Sequence, residues 1–365
     1  MNLHTDSNEV RKIQFTGKST YVLSLPKKWV NELNLKAGDP VTIIRESDNS
    51  LSIISDITKS AADSIDEATA IILKDENVNT LKRKLVSMYL AGYNIIYIKS
   101  KIGRFTTSQR EAARELVRRN LIGTEIIADS IDQITIQVLI TLPELSVNTA
   151  VRRMYLLAAS MHKDALTSLH ELNHELANQV MESDDEVDRF SLYILRNLVI
   201  ATKNERILNE IGLKNISDCL SYRLAVKSIE RIADHASRIA EKCLDINEKI
   251  PSDILSDIRK MNDLSLNDLS DSVEAFLRRN YSMADKIVDR VANIKTLEND
   301  IISKLDRNNG NSYDIIRSSV KLILEDLRRT AEHASDIAEE ALNQTIGEVI
   351  NIEKRPKKDQ IQYDQ

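Results

Sequence analysis

The chain runs to 365 residues, length for two or three domains, with 42% apolar and 29% charged residues but only 4% aromatics, 8 Gly and 5 Pro, a balance that predicts a mainly helical protein. Its two cysteines, Cys219 and Cys243, lack metal-ligand spacing, which excludes a disulfide framework and a cysteine zinc site. No stretch reaches the uninterrupted apolar length of a membrane span and "MNLHTDSNEV" lacks a basic flank before an apolar core, so the expectation is a cytoplasmic chain with no membrane insertion.

The formal charge of -6 hides an asymmetry: seven basic residues stand against three acidic ones between Glu9 and Arg45, whereas acids outnumber bases from residue 151 onward. A basic head on an acidic body points to a polyanion partner for the head alone.

The head, residues 1–56, reads as four strands and one short helix. "RKIQFTG" and "STYVLSL" alternate as two strands about a turn at Gly17-Lys18. Pro26 opens the helix "PKKWVNELNL", since proline suits a helix's first turn. "KAGD" supplies a glycine to end it. "PVTIIRE" and "LSIISD" then form a hairpin. The letters "GKST" imitate the tail of a phosphate-binding loop, but Lys12 stands where that loop needs glycine, and a strand follows instead of a helix. So few residues bury little apolar surface alone, and dimerisation would supply the missing core.

The stretch "RKIQFTGKSTYVLSLPKKWVNELNLKAGDPVTIIRESDNSLSII" resembles the AbrB/SpoVT/MazE swapped-hairpin family from end to end. The resemblance implies an interlaced homodimer that lays a basic strand and loop surface on DNA. Arg11, Lys12, Lys18, Lys27 and Lys28 are then the candidates for phosphate or base contact; the alternative is that they are solubilising surface charges.

Residues 57–146 read as a small α/β sandwich, strand-helix-strand-helix-strand-strand, serving as spacer or sensor: "ATAIILK", "NTLKRKLVSMYLAGY", "NIIYIKS", "TSQREAARELVRRN", then the hairpin "GTEIIADS" and "QITIQVLI". Arg110, Arg114, Arg118 and Arg119 interleave with Glu111 and Glu115, which an i,i+4 ion-pair face explains as well as nucleic acid does.

From 147 to 346 the pattern is helical and repeated. "SIERIADHASRIAE" at 228–241 aligns without gaps with "DLRRTAEHASDIAE" at 326–339, a shift of ninety-eight residues. A repeat of that length indicates two copies of one bundle, here 147–250 and 251–346. The expected helices are 150–174, 178–208 and 215–246, then 253–279, 282–306 and 312–344, packed as up-down bundles. The tail, 347–365, is polar and mixed in charge, with the composition of a disordered segment. The whole is a mainly α chain: tandem three-helix bundles preceded by a small swapped-hairpin β domain and a small α/β subdomain.

Ala225, Ile229, Ile232, Ala236, Ile239 and Cys243 form the apolar seam of the first copy's third helix. Glu230, Asp234 and Glu241 share one face beside it, and Asp184 and Asp188 repeat the four-residue spacing on the preceding helix. Carboxylates gathered from facing helices are how bundles build oxygen-rich metal sites. The competing reading is ion pairing with Arg231, Arg238 and Lys242. His235 and His333 occupy equivalent places in the two copies, as interface residues or as ligands. No Ser-His-Asp pattern, glycine-rich loop or other catalytic constellation occurs, and no enzyme is expected.

"IERIADHASRIAE", "LRRTAEHASDIAE" and "ALTSLHELNHELANQVMESDDEVDRF" resemble the PhoU phosphate-uptake-regulator family over both bundles. The resemblance implies phosphate homeostasis beside a phosphate ABC transporter or an associated signalling protein, and E/D-X-X-X-D motifs that bind metal ions, iron, manganese or zinc. Glu230 and Asp234 match that motif, with Asp184 and Asp188 as companions. The second copy departs, with Arg328 in place of Glu230, leaving Glu332 with Glu298 as helper. Head and body together resemble archaeal phosphate-uptake regulators, DNA-binding and dimeric; the alternative is an adaptor that binds metal or docks on a transporter, its head only dimerising.

Overall fold

The computed structural model describes residues 9–17, 20–45, 50–55, 67–139, 145–307 and 314–350. The chain divides into two compact units, Met1–Ile65 and Asp66–Gln365.

In the first unit, β1 (Gln14–Thr16) pairs antiparallel with β2 (Thr20–Val22), Gln14 opposite Val22. Both strands are shorter than their alternation suggested. The helix α1 (Lys27–Glu32) follows Pro26, whose carbonyl accepts the first helical bond from Val30. It stops earlier than expected: Asn34, not the glycine, takes the left-handed conformation at its end (φ 53°), and Gly38 (φ 98°) serves the turn into the next strand. β3 (Val41–Arg45) and β4 (Leu51–Ser55) form a separate antiparallel pair, Ile43 opposite Ile53.

The second unit opens with a four-stranded sheet, β5 (Glu67–Ile72), β6 (Ile95–Ser100), β7 (Thr124–Asp129) and β8 (Gln133–Val138), in the order β5-β6-β8-β7. Only β5 and β6 run parallel, as their helical crossover α2 (Val78–Leu90) requires. α2 and α3 (Thr107–Asn120) bring Leu81, Leu85, Tyr89, Ala113 and Leu116 onto Ile96, Ile98, Ile134 and Ile136. Thr106 caps α3 in a reciprocal box with Gln109. Arg110 and Arg114 both grip Asp129 of β7, at 2.6 and 2.5 Å, so they tie helix to strand.

Among the described residues seven further helices follow: α4 (Val147–Glu171), α5 (His174–Ala201), α6 (Glu205–Glu210), α7 (Ile216–Asp245), α8 (Ser252–Arg278), α9 (Tyr281–Arg307) and α10 (Asp314–Val349). Side-chain caps set their starts: Ser146 accepts from Thr149, Asn173 from Leu176 and Asn215 from Asp218. The helix expected over 178–208 is two pieces. It ends at Ala201, the Asn204 N–H turns back to the Ala201 carbonyl, and α6 restarts to bury Leu208 over the bundle end. α10 continues five residues past the end expected at 344, to Val349, and residues 351–365 lie outside the described residues.

α4, α5 and α7 form one bundle and α8, α9 and α10 the other, around a continuous core. Arg279, left-handed at the end of α8, binds Asp218 of α7 at 3.0 Å and the Gln344 carbonyl at 2.7 Å, locking one copy onto the other.

α5 is the spine that positions everything else. One face carries Arg196, buried, which donates to the Gly92 carbonyl at 3.1 Å and Asn94 Oδ1 at 2.8 Å and lies over the Tyr89 ring. Lys203, just beyond it, reaches the Ala91 carbonyl at 3.0 Å. That face clamps the α/β subdomain, while another meets α7.

Candidate functional site

On the α7 side of α5 stand Asp184, Asp188 and Ser191; opposite them on α7 are Glu230 and Asp234. Ser191 Oγ donates to Glu230 Oε2 at 3.0 Å, and Lys227 pairs with Glu230 from one turn earlier. The remaining carboxylates pair with no Lys or Arg among the described residues. Burial, then the charges of Asp234, Asp185 and Glu230, raise the Asp184 pKa to about 6. Burial, then Glu230, Asp184 and Asp234, raise Asp188 to about 7. Asp234 is raised by burial and Glu230, against the opposing pull of Lys227, Arg238 and His235.

The two sequence readings therefore separate. Arg231 and Arg238 make no ion pair with these acids among the described residues, and Lys242 turns to Asp245 at 3.5 Å and Glu241 at 4.0 Å. Glu241 thus stands apart from the cluster. Asp184, Asp188 and Asp234, whose protonation is favoured by burial and then by the charges around them, are short of positive charge, and with Glu230 beside them they form a donor set whose chemistry fits an oxygen-binding cation. No group of three or more His, Cys, Asp or Glu is already gathered as a metal cage among the described residues.

The second copy does not fit a metal. Arg328 Nε lies 3.0 Å from Glu298 Oε2, and its Nη1 pairs with Glu332, which Arg329 also holds at 3.1 Å. Burial still raises the pKa of Glu298, with Arg328 working against it. Glu298 meets Arg328 across the bundle as Ser191 meets Glu230, so a guanidinium occupies the place where a cation would be needed. Charge repulsion bars a second one.

Between α7 and α10, His235 stacks on His333, and each ring is held at Nδ1 by a carboxylate, Asp326 at 2.7 Å and Asp336 at 2.9 Å. His162 of α4 carries no local sequence signal. It is fully buried, donates from Nε2 to the Ile232 carbonyl at 3.0 Å, and has its pKa pushed down to about 4 by burial.

In the head, Arg11 pairs with Glu9 at 2.7 Å, and Lys12, Lys27 and Lys28 are exposed. Lys18 lies outside the described residues. No helix among the described residues is long and apolar enough to cross a membrane.

Two repeat-related three-helix bundles on a shared core, preceded in the sequence by a β-rich head, define a tandem-bundle protein with an appended small domain. The PhoU domain model matches residues 151–243 and 258–341, and the model for the MazE antitoxin, described as antidote-toxin recognition, matches 14–58. The chain is thus a tandem PhoU-domain protein with an N-terminal domain of the MazE antitoxin type. It is similar to the phosphate-specific transport system accessory protein PhoU homolog 1 of Thermotoga maritima, 28% identical over 201 residues, covering 53% of this chain and 82% of that one. A PhoU homolog of Pseudomonas putida is 27% identical over 184 residues, covering 48% and 68%. Among solved structures, PhoU from Streptococcus pneumoniae is similar with a TM-score of 0.47 at 20% identity, covering 56% of this chain and 96% of that chain. PhoU from Pseudomonas aeruginosa gives 0.48 at 22%, covering 55% and 96%.

Proposed function

We propose that the chain is a cytoplasmic, homodimeric DNA-binding regulator of phosphate uptake whose helical body reads phosphate status. The carrying observation is in the head. Pro26 is its one buried residue among those described, while Phe15, Tyr21, Ile43 and Leu51 are 59%, 72%, 63% and 67% exposed. Strands with that much apolar surface in water call for a second copy of the same chain. Dimerisation would bring two sets of Arg11, Lys12, Lys18, Lys27 and Lys28 to one surface, the charge pattern of a phosphate-backbone contact.

The relatives' names tie them to phosphate-specific transport, and that role carried to this chain makes phosphate status the signal. Asp184, Asp188, Glu230 and Asp234 would hold a cation, iron, manganese or zinc, which would neutralise the acids and draw α5 toward α7. A transporter-linked partner is the other route by which the signal reaches the body.

Fluorescence anisotropy with DNA from upstream of phosphate-transport genes tests the head. Replacing Lys18, Lys27 and Lys28 by Ala is expected to weaken binding and flatten its salt dependence. Unchanged affinity and salt slope would sink the DNA assignment. The adaptor reading is favoured by one observation, the Arg11–Glu9 pair, which withdraws a cation from the surface. It predicts a dimer that binds no DNA at any salt concentration.

A further inference from the structure

A cavity of about 530 Å³ opens where the α/β subdomain meets α5, within the size range of small-molecule sites. Its apolar wall is Val117, Leu121, Ile126 and Leu139. Two guanidiniums from different elements reach it, Arg118 from α3 and Arg189 from α5. Arg118 makes no ion pair or hydrogen bond among the described residues. Arg189 gives Nη1 to Glu186 at 2.7 Å, but its Nε is shielded from solvent and has no partner. An unmet buried donor costs about 1–3 kcal/mol, which an acceptor placed there would recover. On the same lining stands Glu125, an exposed carboxylate able to accept from a hydroxyl.

Two guanidiniums match a dianionic phosphate, whose oxygens accept paired N–H bonds. Inorganic phosphate alone would leave the apolar wall uncovered and Glu125 without a donor. We propose that this cavity is an effector site for a nucleoside monophosphate, its phosphate between Arg118 and Arg189, its base on the apolar wall and a sugar hydroxyl donating to Glu125. The site needs both the α/β subdomain and α5, so its ligand would brace one against the other. Arg189 follows Asp188 directly, so occupancy bears on the same helix that carries the acidic cluster. This gives the α/β subdomain a sensing role that does not depend on whether the head binds DNA.

Calorimetric titration of the full chain with AMP, GMP, CMP and UMP, and separately with inorganic phosphate, tests the site. At least one nucleotide is expected to bind, with inorganic phosphate weaker by about 100-fold or more because it lacks the base contacts. Arg118→Ala and Arg189→Ala should each weaken the nucleotide by about tenfold or more, and Arg189→Lys should not restore it, since an ammonium lacks the planar fork. Arg118 is exposed, so its variant keeps the fold even if the Arg189 variant does not. Failure of all four nucleotides to bind would overturn the proposal. So would affinity unchanged in Arg118→Ala, or inorganic phosphate binding as tightly as the best nucleotide.

Discussion

His235 and His333, ninety-eight residues apart and equivalent in the repeat, stack with ring centroids 5.5 Å apart and planes 22° from parallel. Contact between equivalent residues sets α7 and α10 side by side at the same level of the repeat. His162 bridges a second such level, with Nε2 3.0 Å from the Ile232 carbonyl and 3.2 Å from the Thr330 hydroxyl, another equivalent pair. The charges do not follow the repeat. Asp326 holds His235, but its equivalent is Ser228; His333 turns instead to Asp336, whose equivalent is Arg238. The bundles share a backbone plan and have diverged in their ionic contacts, as Glu230 and Arg328 have.

The burial of His162 sets an acid limit on the body. Its pKa falls from 6.5 in the unfolded chain to about 4 in the fold. Below about pH 6.5 the unfolded chain takes up a proton that the folded one refuses, so stability falls down to about pH 4, by up to about 1.4 kcal/mol per unit. Urea unfolding at pH 7, 5.5 and 4.5 should show this loss, and His162→Gln should flatten it. A variant with the wild-type slope would place the acid sensitivity elsewhere.

The exposed apolar strands of the head predict concentration-dependent stability. Ile43→Asp, at a side chain 63% exposed in one chain, should cost little in a monomer and much in a dimer. Sedimentation equilibrium is expected to show a dimer for the wild type and a shift toward monomer for the variant, with DNA affinity falling alongside. An unchanged dimer would remove Ile43 from the interface.

Much of this fold is legible in the chain because its signals are local. Seam periodicity places the long helices and i,i+4 acids point to the cluster, whereas the starts expected at 150 and 178 fall three and four residues inside the helices that Ser146 and Asn173 cap. The break after Ala201 is hidden because Ile207, Leu208 and Ile211 continue an apolar pattern across it. His162 and Arg196 are invisible for a different reason. His162 takes meaning only from Ile232 and Thr330, 70 and 168 residues away, and Arg196 from Gly92 and Asn94, 104 and 102 residues away. No local pattern encodes such partners.

The acidic cluster should respond to pH in the opposite sense to His162. The pKa of Asp188 rises from 3.8 to about 7 on folding, so the cost of ionising it in the fold builds from about pH 4 and is complete above about pH 7. Asp188→Asn should therefore stabilise the body near pH 8, by about 1 kcal/mol once its partial exposure is allowed for, and leave it unchanged near pH 4. Thermal melts at the two pH values measure the difference. Equal effects at both would mean that repulsion among these acids is not what strains the site. Manganese should stabilise the wild type at pH 8 more than it stabilises the variant.

Arg328 provides the converse experiment. Its guanidinium, between Glu298 and Glu332, stands where the first bundle has Glu230. Arg328→Glu would place three carboxylates together in a largely buried setting and should destabilise the protein by about 3 kcal/mol, the scale for breaking a buried pair. Manganese or zinc should then recover part of the loss, because the altered bundle presents the acidic character of the first. Arg328→Met separates the two effects: it removes the cation without adding an acid, so it should be destabilised but gain no more from metal than the wild type does. Equal responses to metal in Arg328→Glu and Arg328→Met would show that charge at this position does not govern cation binding, and that the guanidinium is not what distinguishes the second bundle from the first.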